Sequence, residues 1–123
     1  MTEWLSEEQQ KHWRAWLSAS TLLADRLNRE LLEECGLTLA DYEILVRLSD
    51  TPTRTIRMSD LAQLTLSSRS RLTHQIDRME QAGLVERRAC AEDKRGQNCT
   101  MTDKGWKTLV ASAPSHVTSV RTH

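Results

Sequence analysis

One stretch of the sequence decides the fold: Leu66-Ser-Ser-Arg-Ser-Arg-Leu-Thr-His-Gln-Ile-Asp-Arg-Met-Glu-Gln-Ala-Gly-Leu-Val-Glu-Arg-Arg88. It predicts a helix that ends at Gly83 and turns directly into a strand, because glycine readily adopts the left-handed conformation that ends helices. At 100° per residue, Ile76 and Met79 fall within about 40° of Leu72 and form an apolar side. This side is expected to face a core, which leaves the opposite side for solvent or a partner.

The opposite side of this helix is polar and begins with arginine and hydroxyl side chains. Arginine can bind guanine through two hydrogen bonds, serine, threonine and histidine can contact phosphates or bases, and a helix N-terminus favours phosphate. A solvated surface is the plain alternative, since exposed helices often carry such residues. The polar side holds Ser70, His74, Asp77 and Gln81, flanked by Thr73, Arg71 and Arg78.

Two shorter helices are expected before this one. Thr38 can cap a helix that directs Leu39, Tyr42, Leu45, Val46 and Leu48 inward. After a short extended piece at 55–57, Ser59 is expected to start a brief helix, and residues 65–68 lead from it into the decisive stretch. Two helices joined by three or four residues indicate a helix-turn-helix, whose second helix enters the major groove of DNA.

A β-hairpin is expected after Gly83. Two extended runs, 84–90 and 97–102, flank a charged segment that contains Lys94 and Arg95. A hairpin beside a DNA-contacting helix can lay these two cations along the adjacent minor groove. With residues 93–96 as the tip, Cys90 and Cys99 would face each other. Simple packing of two small residues is the favoured interpretation, and an oxidation switch is the alternative.

Long and short helices are expected at the two ends of the chain. Ser6 starts a capping box, and Gly36 ends a helix of roughly 40 Å with an apolar stripe. Core packing is the favoured role of that stripe, and a partner helix across a dimer interface is the alternative. Its members are Trp13, Trp16, Leu17, Ser20, Leu23, Leu27 and Leu31. At the other end, a short helix over 103–112 should direct Trp106, Leu109 and Val110 inward, and Pro114 should interrupt it.

Composition bounds the class of protein. With 123 residues, 38% hydrophobic residues and no Phe, the chain suits one helical domain with a core mainly of Leu, Ile, Val and Met. Net charge is zero, yet residues 1–50 hold ten acids and five bases, and residues 51–123 carry the balancing +5. This asymmetry favours a basic face for an anionic partner. The sequence has no secretion signal, membrane span, zinc-type Cys or His spacing or enzyme motif, so we expect a cytoplasmic non-enzyme without metal or cofactor.

Several motifs occur together in an order that resembles the MarR family of bacterial transcription regulators. They are Met58-Ser-Asp-Leu-Ala62, the run from Ser68 to Arg87, Glu92-Asp-Lys-Arg95 and Met101-Thr-Asp-Lys-Gly105, within a match of roughly residues 38 to 106. The resemblance implies a mainly α fold with a small β-hairpin wing, that is, a winged helix-turn-helix. It divides the chain into an N-terminal dimerisation helix (1–36), a DNA-binding domain (37–102) and a C-terminal helical segment (103–123).

The resemblance also implies a homodimeric repressor that binds a palindromic operator and responds to a small aromatic effector. The implied major-groove set is Ser68, Arg69, Ser70, Arg71, Thr73, His74 and Arg78. In the wing, Asp93 is implied to brace the hairpin, and the DNA contacts are Arg88, Lys94 and Arg95. Trp13, Trp16 and Tyr42 could line the effector cleft, with plain core packing as the alternative.

MarR-like proteins continue with more helix beyond the point that corresponds to residue 123. We therefore expect either a fragment or a naturally short protein that has lost part of its dimerisation segment. A second function follows from that expectation: a shortened winged-helix protein that acts as a protein-interaction module and binds DNA weakly or not at all.

Overall fold

The computed structural model describes residues 1–90 and 95–123 and shows five helices and three strands among them. The predicted fold class is confirmed, because the described chain is mainly helical with one small antiparallel sheet. In chain order the elements are α1 (Glu7–Cys35), α2 (Leu39–Ser49), β1 (Thr55–Arg57), α3 (Met58–Leu64), α4 (Arg69–Gln81), β2 (Val85–Ala89), β3 (Gln97–Met101) and α5 (Asp103–Thr122).

The core lies between the helices and one face of the sheet. Leu45 and Leu48 of α2, Leu61 of α3 and Ile76 of α4 have no exposed surface. The inward direction predicted for Leu39, Tyr42, Leu45, Val46 and Leu48 is confirmed, with Leu39 and Val46 partly rather than fully buried. Burial of this apolar surface is the main driving force that fixes α4 against the rest of the domain.

The sheet has the order β1-β3-β2, so the short extended piece at 55–57 joins the hairpin as a third strand. The hairpin register pairs Arg87 with Cys99, and the Cys90 amide donates to the Gly96 carbonyl. Since side chains alternate between the faces of a sheet, Cys90 and Cys99 lie on opposite faces. The expected facing pair is therefore wrong. Cys99 points into the core, where burial raises the pKa of its thiol to about 12.

The long helix α1 starts and ends where the sequence predicts. Ser6 and Gln9 form the capping box, and Gly36 has the left-handed φ of 71°. The favoured interpretation of its apolar stripe, packing into the core, is wrong. Leu31 is the only buried residue of the stripe, and Trp13 and Trp16 are 52% and 64% exposed. The stripe does not pack into the core of this chain because only the last turns of α1 lie against α2 and α5.

Helix α3 begins one residue earlier than expected. Arg57 is its N-cap in extended conformation and makes no side-chain cap hydrogen bond, and Ser59 lies within the first turn. The expectation that Ser59 starts the helix is wrong because β1 runs directly into α3. The helix then starts where the strand ends, without the help of a capping hydroxyl.

Helix α5 is continuous from Asp103 to Thr122, with Pro114 inside it, so the predicted interruption is wrong. A proline removes one helical hydrogen bond, and contacts of the second half with α1 and α2 offset that loss. These contacts are a hydrogen bond from Ser115 to Glu34, a 3.1 Å contact between His123 and Glu30, and a Tyr42–His116 ring pair at 4.4 Å.

Of the three residues expected to face inward from the first half of α5, only one does so. Leu109 is buried, whereas Val110 is 52% exposed and Trp106 is exposed and stacks on the Arg54 guanidinium at 4.3 Å. The inward assignment of Trp106 and Val110 is therefore wrong, since they project from the sides of a helix that meets the core along a narrow line. Across the described residues, no helix combines the length and apolarity that a bilayer crossing needs.

Candidate nucleic-acid interface

The turn between α3 and α4 fixes where α4 points. Leu66 has a left-handed φ of 54°, and the Ser67 amide donates to the Ala62 carbonyl at 3.0 Å. Ser68 then caps α4, because its hydroxyl oxygen accepts from the Arg71 amide at 3.1 Å. Two helices joined by such a turn form the predicted helix-turn-helix, and Ser68 has a structural role as well as an exposed position.

The inner side of α4 is anchored by one polar residue besides its apolar stripe. Leu72, Ile76 and Met79 are buried as predicted. Gln75 is only 6% exposed and donates to the Asp41 carboxylate at 3.2 Å, which links α4 to the capping box of α2. Gln75 was missed by sequence reasoning, although it lies about 60° from Leu72 around the helix and so at the margin of the buried stripe.

The outer side of α4 presents every residue of the predicted major-groove set to solvent. Within residues 1–90 and 95–123, no carboxylate forms an ion pair with Arg69, Arg71 or Arg78. Thr73 is partly engaged, since its hydroxyl donates to the Arg69 carbonyl at 2.8 Å. A shallow depression of about 460 Å³ collects five of the seven side chains: Ser68, Ser70, Arg71, His74 and Arg78.

Three arginines on α1 and α2 are engaged with carboxylates. On α1 and α2, Arg26 pairs with Glu30 at 3.2 Å, Arg29 with Asp25 at 3.3 Å, and Arg47 with a glutamate one turn earlier at 3.8 Å. These helical pairs neutralise much of the surface away from α4. The three α4 arginines therefore form a local cationic surface despite the zero net charge of the chain.

Arg87 joins the wing to α4 and was also missed. Its guanidinium bonds to Asp77 and, at 3.1 Å, to Glu80, while its amide donates to Glu80 at 2.9 Å. The amide and guanidinium of Arg87 lower the pKa of the Glu80 carboxyl. Alternation along β2 could have identified this residue, because Arg87 shares the face of Val85, which is buried.

The predicted wing residues have different surroundings. Arg88 is exposed and pairs with Glu86 at 2.9 Å, so part of its charge is neutralised. Arg95 is exposed, and Asp93 and Lys94 lie outside the described residues. Between α4 and the hairpin runs a groove of about 450 Å³, here called the wing groove, with polar lining residues Arg57, Ser59, Arg69, Thr73, Arg95 and Gln97.

The three candidate effector residues are not brought together within one chain. Tyr42 is buried on α2 against His116, and burial raises the pKa of its hydroxyl. Trp16 lies about 18 Å along α1 from Asn28, the residue that contacts the start of α2, and Trp13 lies farther still. A cleft lined by all three stays a prediction that needs a second chain. No group of three His, Cys, Asp or Glu residues in the described part of the chain could hold a metal ion.

Comparison with known proteins identifies related sequences. The family model described as "MarR family" matches residues 36–96. The regulator PecS of Dickeya dadantii is 29% identical over 106 residues, and the regulator HosA of Escherichia coli is 33% identical over 78 residues. These matches cover 85% and 63% of this chain. The chain spans 64% of PecS and 56% of HosA, less than two thirds of either relative.

Two solved structures from Streptomyces coelicolor are similar over nearly the whole chain. The MarR family transcriptional regulator AbsC is 48% identical with a TM-score of 0.92, over 99% of this chain and 82% of that one. Sco3205, a MarR family transcriptional regulator in complex with DNA, is 42% identical with a TM-score of 0.94, over 98% of this chain and 76% of that one. The similarity therefore extends from the helix-turn-helix to α1 and α5.

Proposed function

The chain belongs to the MarR family, and on that premise we propose that it is a sequence-specific transcription regulator that binds double-stranded DNA as a homodimer. The observation that carries the proposal is the exposed side of α4, where three arginines without carboxylate partners among the described residues stand beside serine, threonine and histidine. A cationic, hydrogen-bonding helix face of this kind matches the phosphates and base edges of a major groove.

In this proposal α4 enters the major groove with its N-terminal end, as the second helix of a helix-turn-helix does. Arg69, Ser70, Arg71 and His74 lie in its first two turns and are assigned to DNA. Arg78, two turns later than Arg71 on the same side, is assigned to a phosphate. The wing, with Lys94 and Arg95, is assigned to the neighbouring minor groove. Because Arg88 is paired with Glu86, it should contribute least to DNA binding among the three wing residues.

The homodimer is supported by large apolar side chains that one chain leaves exposed. On α1 these include Trp16 and Leu23, which lie within about 20° of each other around the helix and are 64% and 41% exposed, and on α5 Val117 and Val120 are about half exposed. Contiguous exposed apolar surface on a globular protein marks an interaction site. We assign it to a second copy of the chain, so that two α4 helices address the half-sites of a palindrome.

The remaining parts of the proposal follow the family resemblance. Residues 1–36 and 103–123 serve dimerisation, and residues 37–102 bind DNA. The protein acts in the cytoplasm as a repressor, and a small aromatic effector bound near Trp13, Trp16 and Tyr42 of the dimer releases it from the operator. Quenching of tryptophan fluorescence by benzoate-type ligands, compared between the wild type and Tyr42→Leu, tests the effector site.

Two measurements together test the central proposal. Light scattering gives the mass in solution, for which we expect twice the 14.1 kDa of the chain. Selection from a randomised duplex pool, with the DNA upstream of its own gene as a second probe, should yield a palindrome whose binding weakens by orders of magnitude between roughly 50 and 200 mM salt. A protein-interaction module would show neither sequence preference nor salt dependence, and that result would refute the regulator assignment.

A further inference from the structure

A polar contact between α4 and α2 lies at the margin of the apolar packing that holds α4. Gln75 is 6% exposed, and its side-chain amide donates to Asp41 Oδ1 at 3.2 Å. An amide buried in this way costs free energy unless it is hydrogen-bonded, so Gln75 stays where the bond can form. Apolar contacts tolerate small rotations of a helix, whereas a hydrogen bond weakens steeply when its distance or angle changes.

Asp41 cannot follow Gln75 if α4 moves, because the same carboxylate also caps α2. Its Oδ2 accepts from the Thr38 amide at 3.3 Å, and the Thr38 hydroxyl accepts from the Asp41 amide at 3.0 Å. The next amide, that of Leu39, donates to Asn28 of α1 at 2.8 Å. The start of α2 is therefore tied to α1 and to its own first turn, and Gln75 is bonded to a fixed acceptor.

The contact lies on the same flank of α4 as two arginines of the major-groove set. At 100° per residue, Arg71 and Arg78 fall about 40° and 60° from Gln75 around the helix. Gln75 also lines the depression that holds both arginines, together with Ala40 of α2. The bond to Asp41 thus holds the flank from which Arg71 and Arg78 project.

A small rotation of α4 about its axis affects base contacts more than phosphate contacts. With side chains the helix has a radius of about 5–6 Å, so a rotation of about 20° moves the side-chain ends by about 2 Å. A hydrogen bond to a base edge is lost over that distance, because donor and acceptor must lie within about 3.2 Å of each other. Attraction between an arginine and a phosphate falls off only over about 8–10 Å in salt solution. Rotation therefore lowers sequence preference while the general attraction to DNA remains.

We propose that the hydrogen bond from Gln75 to Asp41 fixes the rotation of α4 about its axis and so determines how strongly the protein prefers its operator over other DNA. Gln75 is a positioning residue, which acts through the base contacts of Arg71 without contacting a base itself. This assignment rests on the proposed function and extends it to two residues outside the major-groove set.

The test compares the affinities for two labelled duplexes, measured by fluorescence anisotropy at one salt concentration. One is the palindrome selected from the randomised pool, and the other is a mixed-sequence duplex of the same length. Gln75→Leu removes the hydrogen bond, retains a side chain of similar size and leaves Asp41 its capping bond. We expect the mixed-sequence affinity to stay within about twofold and the palindrome affinity to fall about tenfold per half-site, the effect of one lost base contact.

A reversed pair tests the bond itself through the ratio of palindrome to mixed-sequence affinity, here called the preference ratio. Gln75→Glu alone places a second carboxylate against Asp41, and like charges repel, so the preference ratio should fall. Adding Asp41→Asn supplies an amide that donates to the new glutamate and an oxygen that accepts from Thr38, with the total charge of the pair unchanged. The double variant should recover the preference ratio to within about threefold of the wild type.

Gln81→Leu is the matched control, because Gln81 lies on the same helix with an exposed side chain. The same substitution there should leave the preference ratio at its wild-type value. Thermal unfolding of each variant verifies the fold. Loss of stability alone lowers the folded fraction, which weakens binding to both duplexes alike and leaves the preference ratio unchanged. The preference ratio therefore separates a positioning role from a purely structural one.

The outcomes distinguish this inference from the proposed function. If Arg71→Ala lowers the preference ratio while Gln75→Leu leaves it at the wild-type value, the positioning assignment is wrong and the regulator remains. Failure of the reversed pair to recover the preference ratio lost in Gln75→Glu also overturns the assignment, as does an equal loss in Gln81→Leu. If the wild type does not prefer any selected duplex over the mixed sequence, the proposed function itself is wrong.

Discussion

Replacement of Arg87 by methionine tests how the wing is held against α4. The Arg87 side chain is 21% exposed, and the side chains of its partners Asp77 and Glu80 are 42% and 37% exposed, so solvent screens both interactions. Each charge-assisted hydrogen bond at such a half-exposed position stabilises the fold by about 1 kcal/mol. Methionine retains the apolar stem, so we expect Arg87→Met to cost about 2 kcal/mol, or about 8 °C in Tm for a domain of this size.

Thermal unfolding followed by circular dichroism at neutral pH measures this cost, and Arg88→Met is the matched control. Arg88 is the next residue on the same strand, but its ion pair is exposed, with side-chain exposures of 73% and 51%. An exposed pair of this kind contributes about 0.5 kcal/mol or less. If the two variants lose the same stability, the wing is not held by Arg87 and the argument is refuted.

The same interaction predicts a pH dependence. Hydrogen bonds from the Arg87 amide and guanidinium lower the pKa of Glu80, so below its ordinary pKa the unfolded state binds more protons than the folded state. The stabilisation is therefore complete above the unfolded pKa of about 4.3 and is lost as the pH falls through the lowered folded value. The difference between wild type and Arg87→Met should narrow in that acidic window. A constant difference would contradict this assignment.

Three further predictions concern other sites. Gly105→Ala should cost about 3 kcal/mol in denaturant unfolding, because the new Cβ would lie 2.2 Å from the Leu84 carbonyl oxygen. Burial lowers the pKa of His116, so wild-type stability should fall as the pH drops below about 6.5, and His116→Gln should weaken this dependence. In binding assays with variant duplexes, Arg95→Ala should weaken all sequences alike, whereas Arg71→Ala should also relax base preference by about 1–3 kcal/mol at one position per half-site.

Each of these predictions has a clear opposing result. Gly36→Ala is the control for Gly105→Ala. A Cβ at residue 36 would have no atom within 4 Å, so only the left-handed φ opposes this substitution, which should cost about 1 kcal/mol. Equal losses in the two glycine variants would exclude a steric cause. An unchanged pH profile in His116→Gln would place the acid sensitivity elsewhere, and unchanged base preference in Arg71→Ala would remove that residue from base contact.

The elements around α4 could be predicted because their signals are local. Periodicity predicted the buried side of α4, and a glycine predicted where the helix ends. Hydroxyl residues predicted the N-caps of α1 and α2. The position of Gln75 in the core could not be deduced with the same certainty, because its partner Asp41 lies on another helix, 34 residues earlier. Local patterns define which residues share a face, while the partner of that face depends on tertiary contacts.

The wrong predictions concern features that depend on contacts between residues far apart in the sequence. Pro114 has a strong local tendency to interrupt a helix, but Ser115, His116 and His123 hold the following turns against α1 and α2. The hairpin pairs Ala89 with Gln97 and Arg87 with Cys99, a register three residues away from the expected one, so Cys90 does not face Cys99. The burial of the stripe on α1 was also predicted wrongly, because periodicity shows that Trp13 and Trp16 share a face but not whether that face is covered, and both side chains are largely exposed.

The junction between α1 and α2 limits how far the direction of α1 can vary in the proposed dimer. Three residues separate the helices, and the Asn28 side-chain oxygen accepts from the Leu39 amide at 2.8 Å, which ties the end of α1 to the start of α2. With 29 residues, α1 is a lever of about 44 Å. A rotation of about 5° at this junction would move its far end by about 4 Å, slightly more than the 3.4 Å rise of one base pair. The angular stiffness of one short joint therefore limits which half-site spacings the two subunits can accept.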